Sequence, residues 1–182
     1  MSEELVIRCC APTLASIKTG NMFTCRFDSR QAMLDAVRAL NRRLGGKGLR
    51  VLPLRYQDNV GLIYVYRPSR LSRDLTDEKA RQLLGERGYP CASPGRCLAC
   101  LRGRLAQGGD FPHEIGLFLG YPPEDVDGFI HRKADAKCTG CWKVYGNVET
   151  AKRVFALYKK CTAIYLKQYA TGKNMERLTV AV

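Results

Sequence analysis

The residues able to do chemistry are concentrated between Phe111 and Tyr145: His113-Glu114, the acids Glu124, Asp125 and Asp127, and the run Cys138-Thr139-Gly140-Cys141-Trp142. His113-Glu114 resembles the opening of a zinc-protease helix. That chemistry requires a second histidine four residues after the first, and position 117 is Leu, which excludes it. With two histidines in the chain, a nucleophile-base pair would join His113 or His131 to a distant cysteine such as Cys10 or Cys25, oriented by an acid such as Glu114. The candidate catalytic residues are therefore Cys10, Cys25, His113 and Glu114.

Cys97-Leu98-Ala99-Cys100 and Cys138-Thr139-Gly140-Cys141 are two C-x-x-C pairs, and four thiolates at Cys97, Cys100, Cys138 and Cys141 suit zinc or an iron-sulfur cluster. The first pair, however, falls in a helical pattern with Leu98, Leu101 and Leu105, where cysteine serves as a small buried hydrophobe. The second pair turns through Thr139-Gly140 but lacks the preceding strand and following helix that lower a thioredoxin-type thiol pKa. Packing and turn roles are the preferred readings. A pocket is expected where rigidifying Pro and Gly meet polar, aromatic and thiol groups, with His113, Glu114, Tyr121, Cys138, Trp142, Lys143 and Tyr145 as its ligand-binding residues.

The balance of 30 Lys and Arg against 17 Asp and Glu, net +13, favours anionic partners. Nucleic acid is one such class, with Tyr56, Tyr64, Tyr66, Tyr158 and Tyr165 as stacking groups and Arg38, Arg42, Arg43, Lys47 and Arg50 as a compact cationic cluster. A solvated helix end explains that cluster equally well. Gly45-Gly46-Lys47-Gly48 lacks the spacing of a phosphate-binding loop. From Leu105 to His131 there is no Lys or Arg, while Asp110, Glu114, Glu124, Asp125 and Asp127 are acidic. Such a segment must meet basic groups of the protein itself or present a negative patch. The acidic start without an apolar leader, and the lack of any run near the roughly 18 apolar residues of a membrane span, predict a cytoplasmic protein with no membrane partner. Nine cysteines in that setting are expected as reduced thiols.

The elements that must position these residues read as one α+β domain over 1–182, with a small mixed or antiparallel sheet of three to four strands, several helices and a long C-terminal helix. Ser2-Glu3-Glu4-Leu5 starts a helix that breaks near Pro12. Met22 to Phe27 is a strand. Asp28 with Gln31 forms a capping-box pattern for a helix carrying Met33, Leu34, Val37, Leu40 and Leu44, stopped at Gly45-Gly46. Leu49 to Tyr56 and Val60 to Tyr66 form a hairpin about Gln57-Asp58-Asn59, with Pro68 ending the second run. Helices follow at Asp77 to Glu86, at Pro94 to Gln107 with Ser93 as its cap, after Pro112, and after Pro123 or Glu124. A brief strand is expected near Trp142 to Tyr145. Asn147 caps the last helix, which runs to about Tyr169.

Several stretches together resemble an uncharacterised family of small bacterial proteins grouped as a domain of unknown function. They are Cys10 to Ala15, His113-Glu114-Ile115-Gly116-Leu117-Phe118-Leu119-Gly120-Tyr121-Pro122, Asp125 to Ile130, Lys137-Cys138, Trp142-Lys143-Val144-Tyr145-Gly146 and Tyr158 to Cys161. The resemblance implies no substrate, cofactor or catalytic residue. It marks Cys10, His113, Glu114, Cys138, Trp142 and Tyr145 as part of a signature. The function expected is a cytosolic binding protein for an anionic small ligand or cofactor. A cysteine-dependent enzyme or thiol redox protein with His113 as base is the alternative, and nonspecific nucleic-acid binding a further one.

Overall fold

The computed structural model describes residues 1–90, 93–107 and 111–182 and, at residue 133, the backbone. Cys91 and Asp110, counted above among the thiols and the acids, lie outside the described residues. The chain forms two compact units, one of residues 1–70 with 159–182 and the other of residues 71–158. Its class is α+β, with antiparallel sheets and a long C-terminal helix.

In the first unit, α1 (Glu3–Leu14) begins at Ser2, whose hydroxyl accepts from the Leu5 amide, and it contains Pro12 rather than breaking there. A three-stranded antiparallel sheet is built from β1 (Gly20–Arg26), β2 (Arg50–Gln57) and β3 (Val60–Tyr66), with β3 in the centre. The hairpin turn is Asp58-Asn59, both with positive φ (51° and 61°), the geometry in which short polar residues are best tolerated. Pro53 sits in β2, an edge strand, the place in a sheet where a residue without an N–H is tolerated, and the register shifts between Pro53 and Arg55.

The helix α2 (Arg30–Leu44) is capped by Ser29, not by the anticipated Asp28, since the Ser29 hydroxyl accepts from the Ala32 amide at 3.0 Å. Its Met33, Val37, Leu40 and Leu44 are buried and join Val6, Ile7, Leu14, Phe23, Val51, Ile63 and Val65 in one apolar core. Burying each such side chain is worth about 1.5–3 kcal/mol, the dominant favourable contribution to this unit. A short helix α9 (Met175–Leu178) seals that core with the fully buried Met175.

Arg67, wholly buried, ties this unit together. Its guanidinium donates to the carbonyls of Thr13 (2.8 Å) and Leu14 (2.7 Å) at the end of α1, and to those of Lys47 (3.1 Å) and Val180 (2.8 Å). The first two belong to the carbonyls that a helix end leaves without intrahelical partners. Desolvation lowers the Arg67 pKa from its ordinary value.

The second unit contains α3 (Pro68–Asp74) from Leu71 onward, α4 (Glu78–Glu86), α5 (Pro94–Gln107), α6 (Ile115–Phe118) and α7 (Pro123–His131). Asp77 and Ser93 accept from Ala80 and Arg96 amides at the starts of α4 and α5, as their sequences require. A two-stranded ribbon of β4 (Cys138–Thr139) and β5 (Lys143–Val144) precedes α8 (Val148–Ala170), whose first turn is capped by Asn147 accepting from Thr150. The α8 residues from Lys159 onward belong to the first unit.

Candidate functional site

Within the second unit, α6, α7 and the β4–β5 ribbon enclose a cavity of about 340 Å³. The turn before α6 brings His113, α6 brings Ile115 and Gly116, α7 brings Asp125, Val126 and Phe129, and the ribbon brings Trp142 and Lys143. Phe111 and Tyr121 complete the lining. Two of the lining residues are exposed, Phe111 (50%) and Lys143.

The position of each wall follows from local constraints. Pro122 and Pro123 end one segment and open α7, whose residues 125, 126 and 129 fall on one helical face. Asp125, 3% exposed, accepts three hydrogen bonds: its Oδ2 from Trp142 Nε1 (2.6 Å), its Oδ1 from the amides of Tyr145 and Gly146 (2.7 Å each). One buried carboxylate thus fixes the indole and the backbone after β5 against α7. A buried carboxylate is tolerable only with such a set of donors, since an ion without partners would cost several kcal/mol.

Trp142 stacks on Tyr121 (centroids 4.8 Å apart, planes 28° apart) and meets Phe155 edge to face at 4.5 Å. Burial pushes the Tyr121 phenol pKa up to about 12, with the nearby Cys141 adding to the rise, so the hydroxyl remains a donor, at 3.2 Å from the Cys141 carbonyl oxygen. The His113 ring meets Phe129 edge to face at 4.9 Å, and Lys143 Nζ lies 5.6 Å from the centre of the Phe129 ring. That ammonium-ring geometry is attractive.

Of the seven expected ligand-binding residues, His113, Tyr121, Trp142 and Lys143 line this one cavity. Glu114, Cys138 and Tyr145 do not. Glu114 is 2% exposed, accepts from the Tyr89 hydroxyl at 2.9 Å and pairs with Arg104 at 3.4 Å. Burial first, and Glu114 second, raise the Tyr89 pKa. Cys138 packs beside the apolar cluster of Trp142, Val144 and Ala151. Tyr145 is buried, with its ring so close to Gly128 that a Cβ there would run into it. Asp125 and Phe129, absent from the expected set, are central to the walls. Asp125 stood out only as one of the acids of this region, and Phe129 only through membership of the Asp125 to Ile130 stretch.

The candidate nucleophiles lie elsewhere. Cys10 and Cys25 belong to the first unit and His113 to the second. Cys10 is fully buried, and desolvation holds its thiol pKa well above the usual range, the opposite of what a nucleophile needs. Cys25 is half-buried, with its Sγ 3.5 Å from the Arg26 carbonyl. All eight described cysteines carry free thiols. Cys97 is buried in α5 with its Sγ directed at the Pro90 carbonyl, while Cys141 is exposed in the β4–β5 turn. Among the described residues, no three of His, Cys, Asp or Glu are gathered where they would hold a metal ion. No helix among them is long and apolar enough to cross a membrane.

Comparison with curated proteins gave no match, and comparison with solved structures gave none. A family model described as "Protein of unknown function (DUF3793)" matches residues 6–179, which covers both units and every wall of the cavity. By that match the chain belongs to the DUF3793 family.

Proposed function

We propose that this chain is a cytoplasmic bacterial binding protein that takes an anionic small ligand into the cavity bounded by α6, α7 and the β4–β5 ribbon. The observation that carries the reading is the charge arrangement of the cavity wall. Among the described residues that line it, the one acid, Asp125, accepts from three N–H donors, whereas Lys143 is exposed. A preformed, mostly apolar hollow with a few polar groups is the usual form of a small-molecule site.

The reading is tested by thermal unfolding of the purified protein against a panel of small carboxylates, phosphates and nucleotides, together with extraction of any molecule carried through purification. A ligand present at 100 times its dissociation constant stabilises the native state by about 2.7 kcal/mol. No stabilisation by any anion, with nothing extracted, would refute the proposal.

A second reading, nonspecific nucleic-acid binding, draws on the charge distribution. The first unit holds 17 Lys and Arg against 6 Asp and Glu, net +11, and the second 13 against 11, net +2. Arg26 and Arg55 are exposed on the face of the sheet opposite Phe23 and Ile63. Arg43 is unsuited to that role, since it is bound to Glu3 and Glu176, which raise its pKa. Charge reversal at Arg26 and Arg55 should weaken binding to a single-stranded oligonucleotide and flatten its salt dependence. Unchanged affinity would exclude this surface.

A further inference from the structure

We infer that the ligand of the α6–α7 cavity is a flat aromatic monocarboxylate of one or two rings, an inference that rests on the cavity being a ligand site. Size comes first. At about 340 Å³ the hollow is near the lower end of small-molecule sites. That volume accommodates a ligand of one or two rings.

Shape follows from the walls. Tyr121 and Trp142 form one flat side and the His113–Phe129 pair another, so the surface presented is mostly ring face and ring edge. Aromatic surfaces favour an aromatic guest in offset or edge-on contact.

Polarity then restricts the guest's substituents. Trp142 Nε1 is spent on Asp125, both Asp125 oxygens are spent on N–H donors, and the Tyr121 hydroxyl is spent on the Cys141 carbonyl. A sugar or a phosphate ester would bring many polar atoms against Trp142, Asp125 and Tyr121, whose polar groups already have partners, and each stranded group would cost about 1–3 kcal/mol. One carboxylate can be met by Lys143 at the mouth while the ring enters. Aromatic boxes also receive quaternary ammonium groups, but here Lys143 Nζ already faces the Phe129 ring and repels a second cation.

Three probes with one ring and different charge decide the matter: phenylacetate, phenylacetamide and benzyltrimethylammonium. Trp142 is the only tryptophan of the chain, so intrinsic fluorescence of the full-length protein reports on this wall alone, with calorimetry as the second readout. Phenylacetate is expected to bind at least tenfold more tightly than phenylacetamide, and that preference is expected to disappear in Lys143→Gln while the circular dichroism spectrum stays unchanged. Equal affinity for acid and amide, a preference for the ammonium probe, or a preference that survives in Lys143→Gln would overturn the assignment. If phenylacetate fails to bind while a non-aromatic anion stabilises the protein, the ligand class is wrong and the anion site stands. If no anion of any kind binds, both fall.

Discussion

Replacing Asp125 by Asn tests whether one carboxylate organises the cavity wall. In the wild type it accepts from Trp142 Nε1 at 2.6 Å and from two backbone amides at 2.7 Å. Hydrogen bonds to a charged group contribute about 1.5–3 kcal/mol each, roughly twice a neutral bond. An Asn side chain has one acceptor oxygen. If that oxygen keeps the two amides, its NH2 group faces the indole N–H, donor against donor. One charge-assisted bond is then lost and two are weakened to neutral strength, for a total of about 3–5 kcal/mol. Against an ordinary stability of roughly 5–15 kcal/mol, the variant still folds, with a much lower urea midpoint by far-UV circular dichroism.

A double-mutant cycle with Trp142→Phe isolates the indole bond. In the Phe background the opposed donor is gone, so the Asn substitution should cost about 1–2 kcal/mol less than in the wild type. An Asp125→Asn variant within about 0.5 kcal/mol of wild type, or an equal cost in both backgrounds, would refute the assigned role.

Arg67→Lys should destabilise the first unit by about 2–4 kcal/mol in urea titrations, because an ammonium with three donors cannot reach the four carbonyls that the planar guanidinium serves. Gly128→Ala sets two effects in opposition. Ala is better than Gly inside a helix by about 1 kcal/mol, but its Cβ would run into the Tyr145 ring, an overpacking cost of about 1–3 kcal/mol. A lower melting temperature is expected, and a more stable variant would show that the ring gives way freely. The pKa of Asp127 is depressed by its hydrogen bond to His131 and by Lys79. A depressed carboxylate stabilises the fold above its unfolded value, near pH 4, and loses that contribution as pH falls through the folded value. Asp127→Asn should therefore be less stable than wild type at pH 7 and equal to it near pH 2, as read by chemical denaturation at each pH.

Where a local pattern has one physical solution, the chain could be read directly. The α2 stripe and the β2–β3 hairpin are such cases, because buried positions every three to four residues and a polar pair able to take positive φ admit few alternatives. The start of α2 slipped by one residue, since Asp28 and Ser29 are both competent caps and only the backbone at Ser29 directs its hydroxyl to the Ala32 amide. Pro68 was expected to end an element. It also opens α3, because proline costs nothing in the first turn of a helix. The strand β4 was not anticipated, as two residues carry no period. For the cavity, His113, Tyr121, Trp142 and Lys143 stood out as costly residues in a rigid context. Asp125 was noticed only as an acid, and Phe129 did not stand out by itself, because the α7 face lining a hollow has the same spacing as a face lining a core.

The acidic stretch from Leu105 to His131 posed a choice between a negative surface patch and neutralisation by groups of the protein itself, and three of its acids take the second course. Asp125 is consumed by the indole and two amides, Asp127 by His131 and Lys79, and Glu114 by Tyr89 and Arg104. Each of these partners comes from the same unit, so the carboxylates act as fasteners for α6, α7 and the ribbon and project little field into the hollow. The consequence for recognition is that a unit with a net charge of only +2 can still present a cationic mouth. Its acids Asp125, Asp127 and Glu114 are met by N–H, O–H and cationic groups of the unit, while the Lys143 ammonium faces the Phe129 ring. On the proposed anion reading, selectivity depends on the position of one lysine, which is why Lys143 rather than the overall basicity of the chain is the residue to change.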